Sequence, residues 1–293
     1  MAEEHFSYGG QAVIEGVMIR GRKGYATAMR LPTGEIEVQK RAWTPLTQRH
    51  RILRLPVLRG TPALIDALIV GYRTLILSAD FAAKGEGIKP PTRWQYALSI
   101  AAALAIAIGG FVLLPSAVTP KVVKNALLLN LIEGVIRLIF FVLFLAAVSL
   151  MPDMRRVFQY HGAEHKVINA FEERRRYQPE DADDYGTLHQ RCGTSFVFMV
   201  LFVGILMHAL VGWPAWHWRL LSRLLLLPLV AGVSYELIKL AGAHKSSRFL
   251  RLLVAPGMWL QKITTKEPTS DQVEVAIRAL DGALALDAAE VHP

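Results

Sequence analysis

The stretch WQYALSIAAALAIAIGGFVLLPSAVTP, residues 94–120, contains no Asp, Glu, Lys or Arg, and neither does CGTSFVFMVLFVGILMHALVGWPAWHW, residues 192–218. About 20 apolar residues in a helix cross the roughly 30 Å of hydrocarbon in a bilayer. Each run is therefore long enough for a transmembrane helix. A third run, Asn125–Met151, is as apolar except for Glu133 and Arg137, which stand four apart and can pair on one helical face. It reads as a span whose charged pair faces other helices. A fourth, residues 218–241, has Arg219 and Arg223 at one end, where they can snorkel, and Glu236 and Lys239 near the other.

Working outward, Lys and Arg distribute unevenly around these spans. Residues 1–93 carry 14, residues 153–191 carry 7 and residues 239–293 carry 7, whereas residues 120–124 and 213–223 carry 2 each. By the positive-inside rule both termini and the 153–191 loop are expected in the cytoplasm, and the acidic, polar N-terminus MAEEHFSYGG reads as no cleavable signal peptide. The whole composition agrees: 293 residues, 53% hydrophobic and 19% charged, with a mean hydropathy of +0.32, exceed what a soluble domain of this size needs. Ordinary Gly (22) and Pro (15) argue against collagen-like or disordered chain, and one cysteine excludes an internal disulfide. The net charge of +9 then describes sidedness, and nucleic acid is not expected as a partner.

The expected fold is a mainly α membrane protein with about four transmembrane helices, an amphipathic interfacial helix and a small N-terminal β element. Residues 25–42, YATAMRLPTGEIEVQKRA, alternate around Pro32-Thr33-Gly34, a hairpin signal. Together with the glycine-containing segment before them they predict two or three strands within residues 1–60. Thr61-Pro62 opens residues 61–93, where Leu64, Leu68, Tyr72 and Leu75 share a helical face. This helix is expected at the interface or packed on the spans, with a fifth, re-entrant span as the alternative. Residues 94–151 hold spans one and two, 152–191 a cytoplasmic loop, 192–241 spans three and four, and 242–293 a cytoplasmic amphipathic tail. In that tail Trp259, Lys262 and Lys266 form an interfacial anchor, and Thr269-Ser270-Asp271 cap a short helix through Ala285.

Chemistry concentrates in the loop. His161, Glu164 and His165 form H-x-x-E-H, with the histidines one helical turn apart and able to converge on an ion, and Glu164 beside them as a general base. His189 and Cys192 follow three apart, just before the third span. Three histidines and a thiol suit zinc or another borderline-soft divalent transition metal. Asp183, Asp184 and Glu236 are further carboxylate candidates, while His208 reads as a packing residue within a span. Arg174–Arg176 reads as a solvated, lipid-facing cluster. Phosphate-loop, dinucleotide-loop and nucleophile-elbow motifs are absent.

The blocks GGQAVIEGVMIRG (9–21), HGAEHKVINAFE (161–172), RCGTSF (191–196), SYEL (234–237) and PGMWLQKITTKEP…QVEVAIRAL (256–280) resemble, in order, the YqhQ-like family of bacterial membrane proteins. The resemblance implies a bacterial inner-membrane protein with a metal site, and its blocks add Gln11 and Glu15 to the residues of interest. Gln190 departs from the proline expected between His and Arg. The leading expectation is a metal-dependent, hydrolase-like enzyme at the cytoplasmic face, with membrane lipids, other membrane proteins or a second copy as partners. The alternatives are a non-catalytic scaffold or assembly factor with a structural site, and a transporter or channel.

Overall fold

The computed structural model describes residues 8–119, 123–175, 177–212, 215–244 and 246–289. Residues 1–7, the 120–122 part of one connection, Arg176 and Trp213 lie outside them. The N-terminal element is larger than expected, a four-stranded antiparallel meander in the order β1 (Gly9–Val13), β2 (Gly16–Arg20), β3 (Gly24–Arg30) and β4 (Ile36–Ala42). The Pro32-Thr33-Gly34 hairpin forms with Arg30 opposite Ile36, and Gly34 takes the left-handed φ of 90° that the turn requires. The strand missed by the alternation rule is β1, five residues long, closed onto β2 by the two-residue turn Ile14-Glu15.

Eight long helices follow: α1 (Gly60–Gly85), α2 (Arg93–Ile108, continuing through a π-type turn to Val118), α3 (Ala126–Ser149), α4 (Pro152–Arg174), α5 (Gly193–Val211), α6 (Trp216–Ala243), α7 (Arg248–Thr264) and α8 (Ser270–Ala288). One core joins the sheet to α4 and α8 through Val17, Ile19, Ala28, Val167, Ile168, Val275 and Leu280. The C-terminal helix, capped where Gln272 accepts from the Thr269 amide at 2.9 Å, thus completes a domain begun more than 200 residues earlier. A second core, of Met199, Val203, Val230, Ile238, Leu250 and Val254, joins α5, α6 and α7.

Among the described residues five helices, not four, are long and apolar enough to cross a membrane: α1, the α2 segment to Val118, α3, α5 and α6. The extra one is α1, and its contacts set it apart. Asp66, Val70, Thr74 and Ser78, four residues apart, are its buried stripe. Asp66 accepts from the Leu46 amide at 2.8 Å, Gln11 donates to Thr74 at 3.0 Å, and the Ile14 amide donates to Ser78 at 3.2 Å. The apolar face read from the sequence, with Leu68, Tyr72 and Leu75, is the exposed one. So α1 lies lengthwise along the sheet with its polar side inward and its apolar side outward, as a helix at a lipid interface does. Parity bears on the same point: the sheet, α4 and α8 share one core, so a bilayer crossed by these helices would have to be crossed an even number of times between β4 and α4 and between α4 and α8, a condition that α2 with α3 and α5 with α6 would meet without α1.

The charges within the spans also differ from expectation. Glu133, buried, accepts from Arg137 at 2.8 Å as the spacing implied, and also from Arg223 at 2.6 Å. Arg223 therefore turns inward instead of snorkelling. A buried carboxylate is the better partner for a guanidinium that would otherwise face hydrocarbon.

Candidate metal centre

Helix α4 starts at Pro152, whose ring suits a first turn, and ends at Arg175 in the left-handed conformation. Its middle, His161–Ile168, lies between the sheet with α8 on one side and the 264–267 segment that ends α7 on the other. Gly162 is needed there: a Cβ would stand 2.0 Å from the Lys266 carbonyl oxygen. That contact lets residues 264–267 cross the helix directly, with the Lys266 amide donating to the Phe158 carbonyl at 2.9 Å.

The crossing positions the site. His161 Nδ1 lies 2.8 Å from the Thr264 carbonyl oxygen and His165 Nδ1 lies 2.6 Å from that of Thr187. A carbonyl only accepts, so both Nδ1 atoms carry a proton, and in the neutral imidazole this leaves the lone pair on Nε2, the arrangement found when backbone groups orient metal-ligating histidines. Cys192 Sγ lies 3.3 Å from His161 Nε2, and the ligand atoms of His161, His165 and Cys192 fall within 4.8 Å of one another. Cys192 is the N-cap of α5, and the Thr194 amide points at its sulfur at 3.4 Å. A helix N-terminus favours negative charge at that atom. Two imidazole nitrogens and one thiol thus converge, with His165 and Cys192 buried and His161 half-buried, a donor set and spacing that fit zinc-like ions.

The other candidate ligands have partners of their own. His189 is a neighbour, its ring centroid 5.5 Å from that of His165, but its Nε2 lies 3.7 Å from Glu172, which also pairs with Arg191. Gln261 holds the His189 backbone from both sides, accepting from its amide and donating to its carbonyl at 2.8 Å each. His189 also lines a cleft of about 190 Å³ with Glu172, Arg191, Gly242 and Met258. Asp183 and Asp184 pair with Lys166 and Arg174 at the surface. Glu236 binds Arg59 at 2.6 and 2.5 Å and accepts from the Val57 amide, fastening the 55–60 segment to α6.

Glu164 is almost completely buried and accepts from the Gly10 amide at 2.9 Å. Burial holds its carboxyl above the ordinary range, while His161, His189 and that amide act in the opposite sense. Burial also pushes His165 down, towards the neutral form that binds a metal. Gln11 and Glu15 are docking residues. Gln11 donates to the Gly71 carbonyl and to Thr74 on α1. Glu15, at a left-handed φ of 52°, takes both an Arg156 fork and the Tyr160 hydroxyl from α4. Sequence reasoning missed Thr187, Thr264 and Gln261. The threonines act through main-chain oxygens, which leave no side-chain signature; Gln261 could have been noticed as a polar residue on the buried face of an amphipathic helix.

A family model described as a protein of unknown function (DUF1385) matches residues 55–286. The uncharacterized protein YqhQ of Bacillus subtilis (strain 168) is 35% identical over 299 residues, an alignment covering 96% of this chain and 93% of the relative. No solved structure matches. With a family match over residues 55–286 and 35% identity along nearly its full length, the chain belongs to the YqhQ-like family.

Proposed function

We propose that the chain is a multi-pass protein of the bacterial inner membrane, with the sheet, α4 and α8 in the cytoplasm, and that it is a metal-dependent, hydrolase-like enzyme acting at that face. His161, His165 and Cys192 hold a divalent transition metal, with zinc the best fit to two imidazoles and a thiolate. The observation that carries this reading is the pair of Nδ1–carbonyl hydrogen bonds to Thr264 and Thr187. They aim two Nε2 lone pairs at the Cys192 sulfur. Such an ion supplies Lewis acidity towards a carbonyl or phosphoryl oxygen and acidifies water.

The protein's own part is positional. His189 stands between the cluster and the cleft, and Glu164, with a raised affinity for protons, accepts and returns one during turnover. Lipid head groups or segments of membrane proteins are the substrates within reach of the site.

A non-catalytic scaffold is the second reading, favoured by one observation: Glu164 is engaged by the Gly10 amide, as a residue tying α4 to β1 would be. Glu164→Gln separates the two, because glutamine keeps an oxygen for Gly10 but loses the basic carboxylate. The catalytic reading expects this variant to retain metal and membrane level yet fail to complement a deletion, as His161→Ala also fails. If Glu164→Gln complements fully while His161→Ala does not, the site is structural.

A further inference from the structure

The face of the sheet turned away from α4 and α8 carries a group of polar side chains that the proposed chemistry does not use. On β3, Ala26 and Ala28 belong to the core shared with those helices, so by strand alternation Tyr25 and Thr27 point the other way, towards α1. On β4, Arg41 stands opposite Tyr25 and Gln39 opposite Thr27. These four residues and Tyr72, Arg73 and Asp80 of α1 line a cleft of about 500 Å³ between sheet and helix. That volume suits a small organic ligand.

Its cations meet the cleft from two sides. Arg41 on the sheet and Arg73 on the helix are both exposed, and neither forms an ion pair among the described residues. Arg73 lies over the Trp43 ring, 5.1 Å from its centroid, a stacking that orients the guanidinium fork. Asp80, the acidic residue of the lining, stands about two helical turns along α1 from Arg73, roughly 10 Å at 1.5 Å per residue. Its carboxylate accepts from the Tyr96 hydroxyl of α2 at 2.7 Å. Thr27 is fully buried, and its hydroxyl oxygen has no hydrogen-bond partner among the described residues, an unpaired donor on the wall of the cleft. One side of the cleft is apolar as well. Tyr72, which lines it, also belongs to the exposed apolar face of α1 with Leu68 and Leu75.

We propose that this cleft binds a phosphate group, gripped between Arg41 and Arg73. Guanidinium forks match phosphate oxygens in geometry and charge. The phosphate belongs to an anionic lipid, whose chains leave along Tyr72 and Leu75 into the leaflet beside α1, or to a free ion. The lipid source rests on α1 lying at the interface; the phosphate site itself does not, and neither depends on the metal centre.

Thermal unfolding of the purified full chain in maltoside micelles, which carry no phosphate of their own, tests this. The arms are no addition, inorganic phosphate, and short-chain (dihexanoyl) phosphatidylglycerol. Phosphatidylglycerol or inorganic phosphate should raise the unfolding temperature by at least ~3 °C. A rise with the lipid alone identifies the lipid as source, and a rise with inorganic phosphate shows that the free ion suffices. Arg41→Gln with Arg73→Gln should abolish the rise. Arg49→Gln with Arg51→Gln, on exposed cations outside the cleft, should leave it intact. Should the first double variant fail to fold, Arg41→Gln alone decides, since this side chain has no ion pair to lose; the rise should fall to about half or less. No rise in either arm, a rise that survives loss of both cleft arginines, one that keeps more than about half its size in Arg41→Gln, or one lost in the Arg49/Arg51 variant would overturn the proposal.

Discussion

The sheet domain and the helical bundle obey opposite rules. In the sheet domain the large apolar side chains are inside: Ile19, Tyr160, Ile168 and Leu280 are fully buried among β2, α4 and α8. In the bundle many are also outside, beyond the small core of α5, α6 and α7, with Leu210, Leu224 and Leu225 all about two-thirds or more exposed, while Ser195, Ser234 and Glu133 are buried. Such a surface is compatible with a hydrocarbon surrounding. The candidate metal centre lies at the seam of the two regions, where α4 from the first meets Cys192 and the end of α7 from the second.

The sharpest way to break that contrast is to remove Glu133. Glu133→Leu leaves two arginines without their shared partner, and should cost about 3–5 kcal/mol, as removal of one member of a buried ion pair does. Arg137→Leu leaves the Glu133–Arg223 pair and should cost less. Equal damage from the two, measured as folded yield in one neutral lipid, would mean that the charges do not act as a set.

Cutting into the sheet core comes next. Leu280→Ala should destabilise by about 2–5 kcal/mol, and since α8 closes the domain that holds α4, it should also loosen metal retention. Leu225→Ala, the same chemical change on an exposed bundle position, should stay within about 0.5 kcal/mol. Denaturant unfolding of the pair in one lipid would erase the contrast if the costs came out alike.

A smaller and more local effect is expected at Gly162. Gly162→Ala places a methyl against the Lys266 carbonyl and should displace the 264–267 segment, costing about 1–3 kcal/mol and weakening the Thr264 hold on His161. Metal affinity should fall more than overall stability does; an unchanged affinity would remove α7 from the site. The parity of crossings is open to a separate check. Reporter fusions at about residue 170 should read on the same side as fusions within the β3–β4 turn, and opposite readings would make α1 a true crossing.

What could be read from the sequence follows from how local each signal is. The α3 and α5 spans announce themselves by missing charge, and the 161–165 face of α4 by helical spacing. His189 comes beside His165 through the non-helical 186–192 segment, held by Gln261, a placement that no periodicity signals. α1 is ambiguous by composition, since its apolar residues outnumber one stripe; only the sheet laid along Asp66, Thr74 and Ser78 resolves it. The shared core of the sheet and α8 joins the two ends of the chain, and no periodicity within either carries that information. Arg223 turns inward because Glu133 is there, 90 residues away.

The central claim is that His161, His165 and Cys192 hold one metal ion at the seam between the two regions. Metal stoichiometry of the purified full chain, with X-ray absorption at the edge of whatever metal is found, tests it most directly. About one ion per chain is expected, with two nitrogen ligands and one sulfur ligand in the first shell, the sulfur lost in Cys192→Ser and the ion lost in His161→Ala/His165→Ala. The same ion content in that double variant as in the natural chain, or a shell without sulfur, would contradict the account.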